Sequence, residues 1–132
     1  MLIIHEINNP KTQKMKTFTI YLPTKQGKFG TELKKILYFE NSGDTDYMVL
    51  NDEEKIELIM DVDEIEQMLW SQGFFRVTKS YLVNLAKIQL IFPGNAPKIV
   101  LENGKEIFVP ESKRTELFKA LESVYQLQET LY

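Results

Sequence analysis

The stretch FFRVTKSYLVNLAKI, residues 74–88, decides how the rest of the chain is read. Its aromatic and β-branched residues mark it as strand. Arg76, Lys79 and Ser80 nevertheless interrupt the apolar run. Strict alternation fails across RVTKSY, so a strand junction or loop is expected at 78–80. A loop projects Thr78, Lys79 and Ser80 outward together, whereas one continuous strand would turn Thr78 and Ser80 to a single face.

Strand signals dominate on both sides of this stretch. LIIHEI (2–7) and KTFTIYL (16–22) are separated by the turn signal Asn8-Asn9-Pro10. KILYFE (35–40) leads into a polar loop, NSGDTD (41–46), and the chain returns as YMVLN (47–51) and KIELIM (55–60). KIQLIF (87–92) is stopped by PGNAP, and the segments KIVLE and KEIFV flank Asn103-Gly104. An Asn-Gly pair between alternating apolar runs predicts a type I′ hairpin, in which both residues need positive φ. GKFGTE (27–32) has two glycines but no strand before it and helix after it, so it is read as a turn and not as a phosphate-binding loop.

Two segments have helical spacing. In DVDEIEQMLWSQG (61–73), Val62, Ile65 and Leu69 share a face, Asp61 and Glu64 resemble a capping box, and Gly73 is the expected stop. In ESKRTELFKALESVYQL (111–127), Leu117, Phe118, Leu121, Val124 and Tyr125 mark one face. The order predicts a mainly β protein of packed antiparallel sheets, with one short internal helix and a C-terminal helix.

The chain has 132 residues and 43% hydrophobic content, the size of one domain with a real core. It has no cysteine, no apolar run near the ~18 residues of a membrane span, and no signal peptide, which together predict a cytoplasmic protein with no membrane insertion. The net charge of −3 is unevenly distributed. Residues 1–39 hold seven Lys against two Glu, or +5; residues 40–75 hold eleven acids against Lys55, or −10; residues 76–132 hold eight bases against six acids, or +2. Local potential rather than net charge steers a partner, so an acidic chain can still present a basic face.

Catalytic chemistry leaves no trace. His5 is the sole histidine and is read as a strand residue. Asp44, Asp46, Asp52, Glu53 and Glu54 lack the spacing of a Ca²⁺ loop and are read as solvated. Neither an enzyme, a cofactor nor a metal is expected. Two polar groups suit binding instead: Thr78, Lys79 and Ser80, and the group Ser112, Lys113 and Arg114. In the latter, two cations in a first helical turn oppose the helix dipole unless an anion such as phosphate docks there.

These segments, in this order, resemble the LytTR family of bacterial DNA-binding domains. The family's Phe-x-Arg-x-His-x-Ser-Tyr-x-Val-Asn run followed by Ile is present as Phe75, Arg76, Thr78, Ser80, Tyr81, Val83, Asn84 and Ile88, with Thr78 where the family usually has His. The resemblance covers roughly residues 35–122 and includes the ENG hairpin. It implies a non-enzymatic, sequence-specific regulator of transcription whose loops enter successive major grooves of double-stranded DNA. It implies binding at tandem direct repeats, as a homodimer on the DNA.

The family's loops fall at 41–46, 78–80 and 110–114. They give Asn41, Ser42, Thr78, Lys79, Ser80, Ser112, Lys113 and Arg114 as the DNA-binding residues. The third group is displaced, because Pro110-Glu111 stands where the family usually has Ser-Arg. Residues 1–34 are expected to add strands to the sheet of a single domain, their lysines supplementing phosphate contacts, and residues 123–132 to end the last helix. Thirty-four residues cannot hold the receiver domain often fused ahead of this fold, so the chain is either a stand-alone regulator or a piece of a longer protein; the initiating Met and self-contained strands favour the first. The alternative is a protein-interaction module that kept the fold, gained a regulatory protein partner and lost DNA binding.

Overall fold

The computed structural model describes the backbone of residues 2–9 and 12–129 and the side chains of residues 18–123. The strands are β1 (Leu2–Asn9), β2 (Thr12–Thr24), β3 (Gly27–Glu32), β4 (Ile36–Ser42), β5 (Thr45–Leu50), β6 (Lys55–Leu58), β7 (Phe74–Thr78), β8 (Tyr81–Asn84), β9 (Ile88–Phe92), β10 (Lys98–Leu101) and β11 (Glu106–Phe108). Helix α1 spans Val62–Met68 and α2 spans Glu111–Glu129. All strand pairs are antiparallel, in three sheets ordered β1-β2-β3, β6-β5-β4-β8-β7 and β11-β10-β9. The architecture is the mainly β one that the sequence predicts.

The centre of the fold is the run Ile36–Phe39, four consecutive buried residues on β4. A strand buried on both faces reads as a continuous apolar run rather than an alternating one. Here a bulge between Ile36 and Tyr38 also resets the alternation. Ile36 and Phe39 enter one core with Met48, Leu58 and Leu82 of the same sheet, Ile20 and Leu22 of β2, and Val62, Ile65 and Leu69 around α1. Leu37 and Tyr38 enter a second core with Val77, Val83, Ile99, Leu101 and Ile107, closed by Leu117 and Leu121 of α2. The five-stranded sheet is therefore sandwiched between two layers.

Several expectations need correction. Residues 27–32 form a strand, not a turn: β3 pairs with β2, and Gly30 stands opposite Tyr21. A Cβ at Gly30 would come within 2.5 Å of that ring, so the glycine is what lets the ring lie across the strand. The first three strands do not extend the central sheet. They form their own sheet, stacked on the first core and joined to β6 by the Ile59 N–H donating to the Pro23 carbonyl (3.1 Å).

Helix α1 begins as expected, with Asp61 accepting from the Glu64 N–H (2.8 Å), but ends at Met68, short of Gly73. A turn through Ser71 (φ 66°) and Gly73 (φ 83°) leads into β7. Between β10 and β11 only Gly104 has positive φ (89°). The Gly104 N–H donates to the Leu101 carbonyl (2.8 Å), giving a type I turn with a following bulge instead of type I′. Of the turn expected at Asn8-Asn9-Pro10, Asn8 and Asn9 fall on β1 and Pro10 lies outside the described residues, as do Met1, Lys11 and the last three residues. His5 falls on β1.

Two polar features lock the layers. Asn84 is buried at the end of β8, and its Nδ2 donates to the carbonyls of Ile36 (2.8 Å) and Leu33 (3.4 Å) while its Oδ1 accepts from the Ala86 N–H (3.1 Å). On the other face, Tyr38 and Tyr81 meet edge to face at 5.7 Å, and the Lys105 ammonium lies 4.9 Å from the Tyr81 ring centre. The Tyr81 hydroxyl donates to Glu40 (3.3 Å), which also pairs with Lys55 (3.2 Å). Burial raises the Tyr38 pKa above its ordinary 10.0, and interaction with Tyr81 raises that of Lys105 above 10.5.

Two predictions follow from these contacts. Asn84→Ala strands the carbonyls that the amide serves and should destabilise the protein by about 1–3 kcal/mol. Urea unfolding read by far-UV circular dichroism measures this, since the single tryptophan, Trp70, is 80% exposed and reports little on the core. Tyr38 and Lys105 both have folded pKa values above their unfolded ones. Their stabilisation is therefore complete below about pH 10 and is lost as pH rises through the folded values. Melting temperatures should fall on that alkaline limb, and less steeply in Tyr38→Phe; equal slopes would remove Tyr38 from the account.

Candidate nucleic-acid interface

The three segments singled out in the sequence, far apart along the chain, meet at one end of the central sheet. The β4–β5 hairpin is tighter than the loop expected at 41–46. Asn41 and Ser42 lie on β4, paired with Asp46 and Thr45, and only Gly43 (φ 66°) and Asp44 make the turn. Asn41 is not simply presented to solvent: its Nδ2 donates to Asp46 Oδ1 (2.9 Å), while its backbone N–H donates to the Ser80 carbonyl (2.8 Å). That bond ties the first segment to the second. Ser42 is exposed.

The second segment is the β7–β8 connection. Thr78 ends β7, Lys79 and Ser80 turn, and Tyr81 pairs back with Thr78 after a bulge at Val77. Alternation breaks at this point because of that bulge. The Ser80 N–H donates to Thr78 Oγ1 (3.1 Å), so the threonine hydroxyl shapes the turn from inside. Lys79 is exposed.

The third segment is the entry to α2. Ser112 is exposed, and Lys113 is half-buried with its ammonium 3.8 Å from Glu116. Arg114 differs from the expectation. It shares the helix face of Leu117 and Leu121, and its Nε is buried without a hydrogen-bond partner, so it points toward the scaffold while Ser112 and Lys113 face outward.

A groove runs between the second and third segments, lined by Arg76, Thr78 and Lys79 on one side and Pro110, Ser112 and Lys113 on the other. A smaller depression joins Lys79 to Asn41 and Asp46. Lys79 stands at the lip of both.

Arg76, one of the residues that interrupt the apolar run, holds this site together. Its Nε donates to the Thr78 (3.0 Å) and Lys79 (3.2 Å) carbonyls, its Nη2 also donates to the Lys79 carbonyl, and its Nη1 bridges Asp63 (2.8 Å) and Glu66 (2.9 Å) of α1. Those two acids line the groove, and the sequence expectation did not include them in the site. Their spacing of three places them on one helical face, the available signal, but nothing local says that this face meets β7.

Lys25, one of the lysines of residues 1–34, pairs with Glu57 (3.0 Å) on β6, at the sheet edge opposite β7. Among the described residues there is no group of three or more metal-ligating side chains placed to hold an ion, and no helix is long and apolar enough to cross a membrane.

Comparison with known proteins supplies the relationship. No curated protein matches the chain. Among solved structures it is similar to the LytTr DNA-binding domain of a protein described as a methyl-accepting/DNA response regulator from Bacillus cereus. The two share 24% identity, with a TM-score of 0.66, over 78% of this chain and 95% of that one. At that identity the likeness speaks for the fold. The LytTr DNA-binding domain family matches residues 27–122, beginning at β3 and ending within α2. That match takes in the whole five-stranded sheet and all three segments of the interface, while Ile20 and Leu22 of the first core lie ahead of it. The chain belongs to the LytTR family of DNA-binding domains.

Proposed function

We propose that this protein binds double-stranded DNA sequence-specifically in bacterial transcription control, and that the ends of β4 and β7 and the start of α2 are its contact surface. The observation that carries the reading is the convergence of three distant segments on Lys79. Lys79 is the base-reading or phosphate-binding group, Thr78 and Ser80 shape its loop, and Ser42, Ser112 and Lys113 position the phosphate backbone. Asn41 supports the Lys79 loop through Ser80. Arg114 is the weakest member of the set, because its Nε is buried.

The target is a tandem direct repeat, occupied by two copies. The whole chain acts as one domain, its first sheet covering the first core. The protein works in the cytoplasm, where such DNA lies.

A second reading is favoured by specific features. Asp46, Asp63 and Glu66 line the same grooves, and Leu90, Phe92 and Phe108 are exposed on the third sheet. A module that exchanged DNA for a protein partner would show both. Selection of bound duplexes from a random pool separates the two: a recovered repeat supports DNA recognition, and a pool without enrichment supports the partner reading.

On the recovered site, Lys79→Ala should cost about 1–3 kcal/mol and relax preference at one base position if Lys79 reads a base edge. Titration of wild type and variant against the site and its single-base changes tests this; an unchanged affinity removes Lys79 from the contact. Affinity should also drop steeply with salt, because phosphate neutralisation releases counterions. A flat salt dependence in the same titration would exclude phosphate-driven binding.

A further inference from the structure

We infer that Arg76 is the positioning residue of the Lys79 loop, coupling α1 to the DNA-contacting side chain, and that it acts through the loop and not on DNA. This inference rests on the DNA-binding reading above.

The loop needs an external tie. Two-residue connections between antiparallel strands are usually closed by turns with positive φ, whose twist matches the strands. Neither Lys79 nor Ser80 has positive φ, and a bulge at Val77 precedes them. Within the turn the Ser80 N–H donates to Thr78 Oγ1, and the carbonyls are tied by flanking strands: those of Thr78 and Lys79 accept from Arg76, and that of Ser80 accepts from the Asn41 N–H. With its carbonyls held back toward the protein, the turn presents the Lys79 side chain to the grooves.

The guanidinium is fixed on its other side by Asp63 and Glu66, and its side chain is only 15% exposed. Only a planar fork with several fixed donors can serve two carbonyls and two carboxylates at once; an ammonium carries the charge but not the geometry. Arg76 also opposes two negative charges that line the groove shared by Lys79 and Lys113, where they would otherwise repel phosphate.

The test uses the full chain and two variants, Arg76→Lys and Arg76→Gln. In free protein, amide hydrogen exchange is followed at Asn41 and Ser80, whose N–H groups bond within the loop cluster, and at Phe39 and Leu82 in the core. Arg76→Lys should speed exchange at Asn41 and Ser80 by about tenfold or more while leaving the core amides unchanged. On the selected duplex, Arg76→Lys should weaken binding by about tenfold or more, with unchanged non-specific binding and an unchanged salt slope. Arg76→Gln should weaken both specific and non-specific binding, because it also exposes the carboxylates.

The inference is overturned if loop exchange in Arg76→Lys matches wild type. It is also overturned if core and loop exchange rise together, which marks general destabilisation, or if loop exchange rises while affinity for the selected duplex is unchanged, which uncouples the tie from DNA binding. If wild-type protein enriches no duplex, the DNA reading fails, and the exchange measurement still decides whether Arg76 holds the loop.

Discussion

The fold depends on β4 being buried on both faces. Ile36, Leu37, Tyr38 and Phe39 follow one another into two different cores, and the bulge at Leu37 makes this possible by placing Leu37 and Tyr38 on the same side. Each layer needs the other. Without the first sheet and α1, the face carrying Ile36, Phe39 and Met48 would meet water; without β9–β11 and α2, the face carrying Tyr38, Val77 and Val83 would do so. Apolar burial is the largest favourable contribution to such a domain, and a sheet covered on one side only would leave half of it unrealised.

Double burial also explains where the polar groups sit. Inside a covered sheet, backbone and side-chain polar atoms cannot fall back on water, so departures from the ladder must be satisfied by protein. Asn84 does this at the end of β8, serving the carbonyls of Leu33 and Ile36 where the chain enters β4 through a 3-10 turn. Arg76 serves the carbonyls of Thr78 and Lys79 at the more exposed place where β7 leaves its partner. One residue closes the scaffold and the other holds the loop that emerges from it. Both belong to the short run in which strand character and polar side chains looked incompatible.

The charge pattern gains a spatial meaning in the fold. The acidic middle third of the chain supplies α1, whose Asp61 caps the helix and whose Asp63 and Glu66 receive Arg76. The basic residues at the recognition end come from elsewhere, Lys79 from the β7–β8 turn and Lys113 from α2. A chain with pI near 5.3 thus brings cations together at one end, although acids remain beside them. Local geometry, not the net balance, sets what a phosphate approaching this surface would meet.

The fold class was legible in the chain itself. Apolar runs of strand length and two segments of helical spacing predicted sheets and helices, because periodicity and turn chemistry are local properties; the family came from the resemblance of the run around Phe75–Asn84 to a known signature. The junction at 78–80 was legible for the same reason, since a bulge disturbs alternation within a few residues. Gly27–Glu32 was misread because its strand character comes from pairing with β2 and from the Tyr21 ring lying over Gly30, neither of which is local.

The 41–46 segment looked like a loop by composition, but cross-strand pairing carries the ladder to Ser42. Arg114 looked equivalent to Lys113, and only the packing of α2 on the second core separates them, one residue turning 100° from the next on a helix. The sequence by itself determined which residues can form strands and which can carry charge to a phosphate. The tertiary structure alone decided that Arg76 reaches α1 and the Lys79 loop together, because contacts between segments far apart in the chain depend on how sheets stack, and no short-range pattern records that.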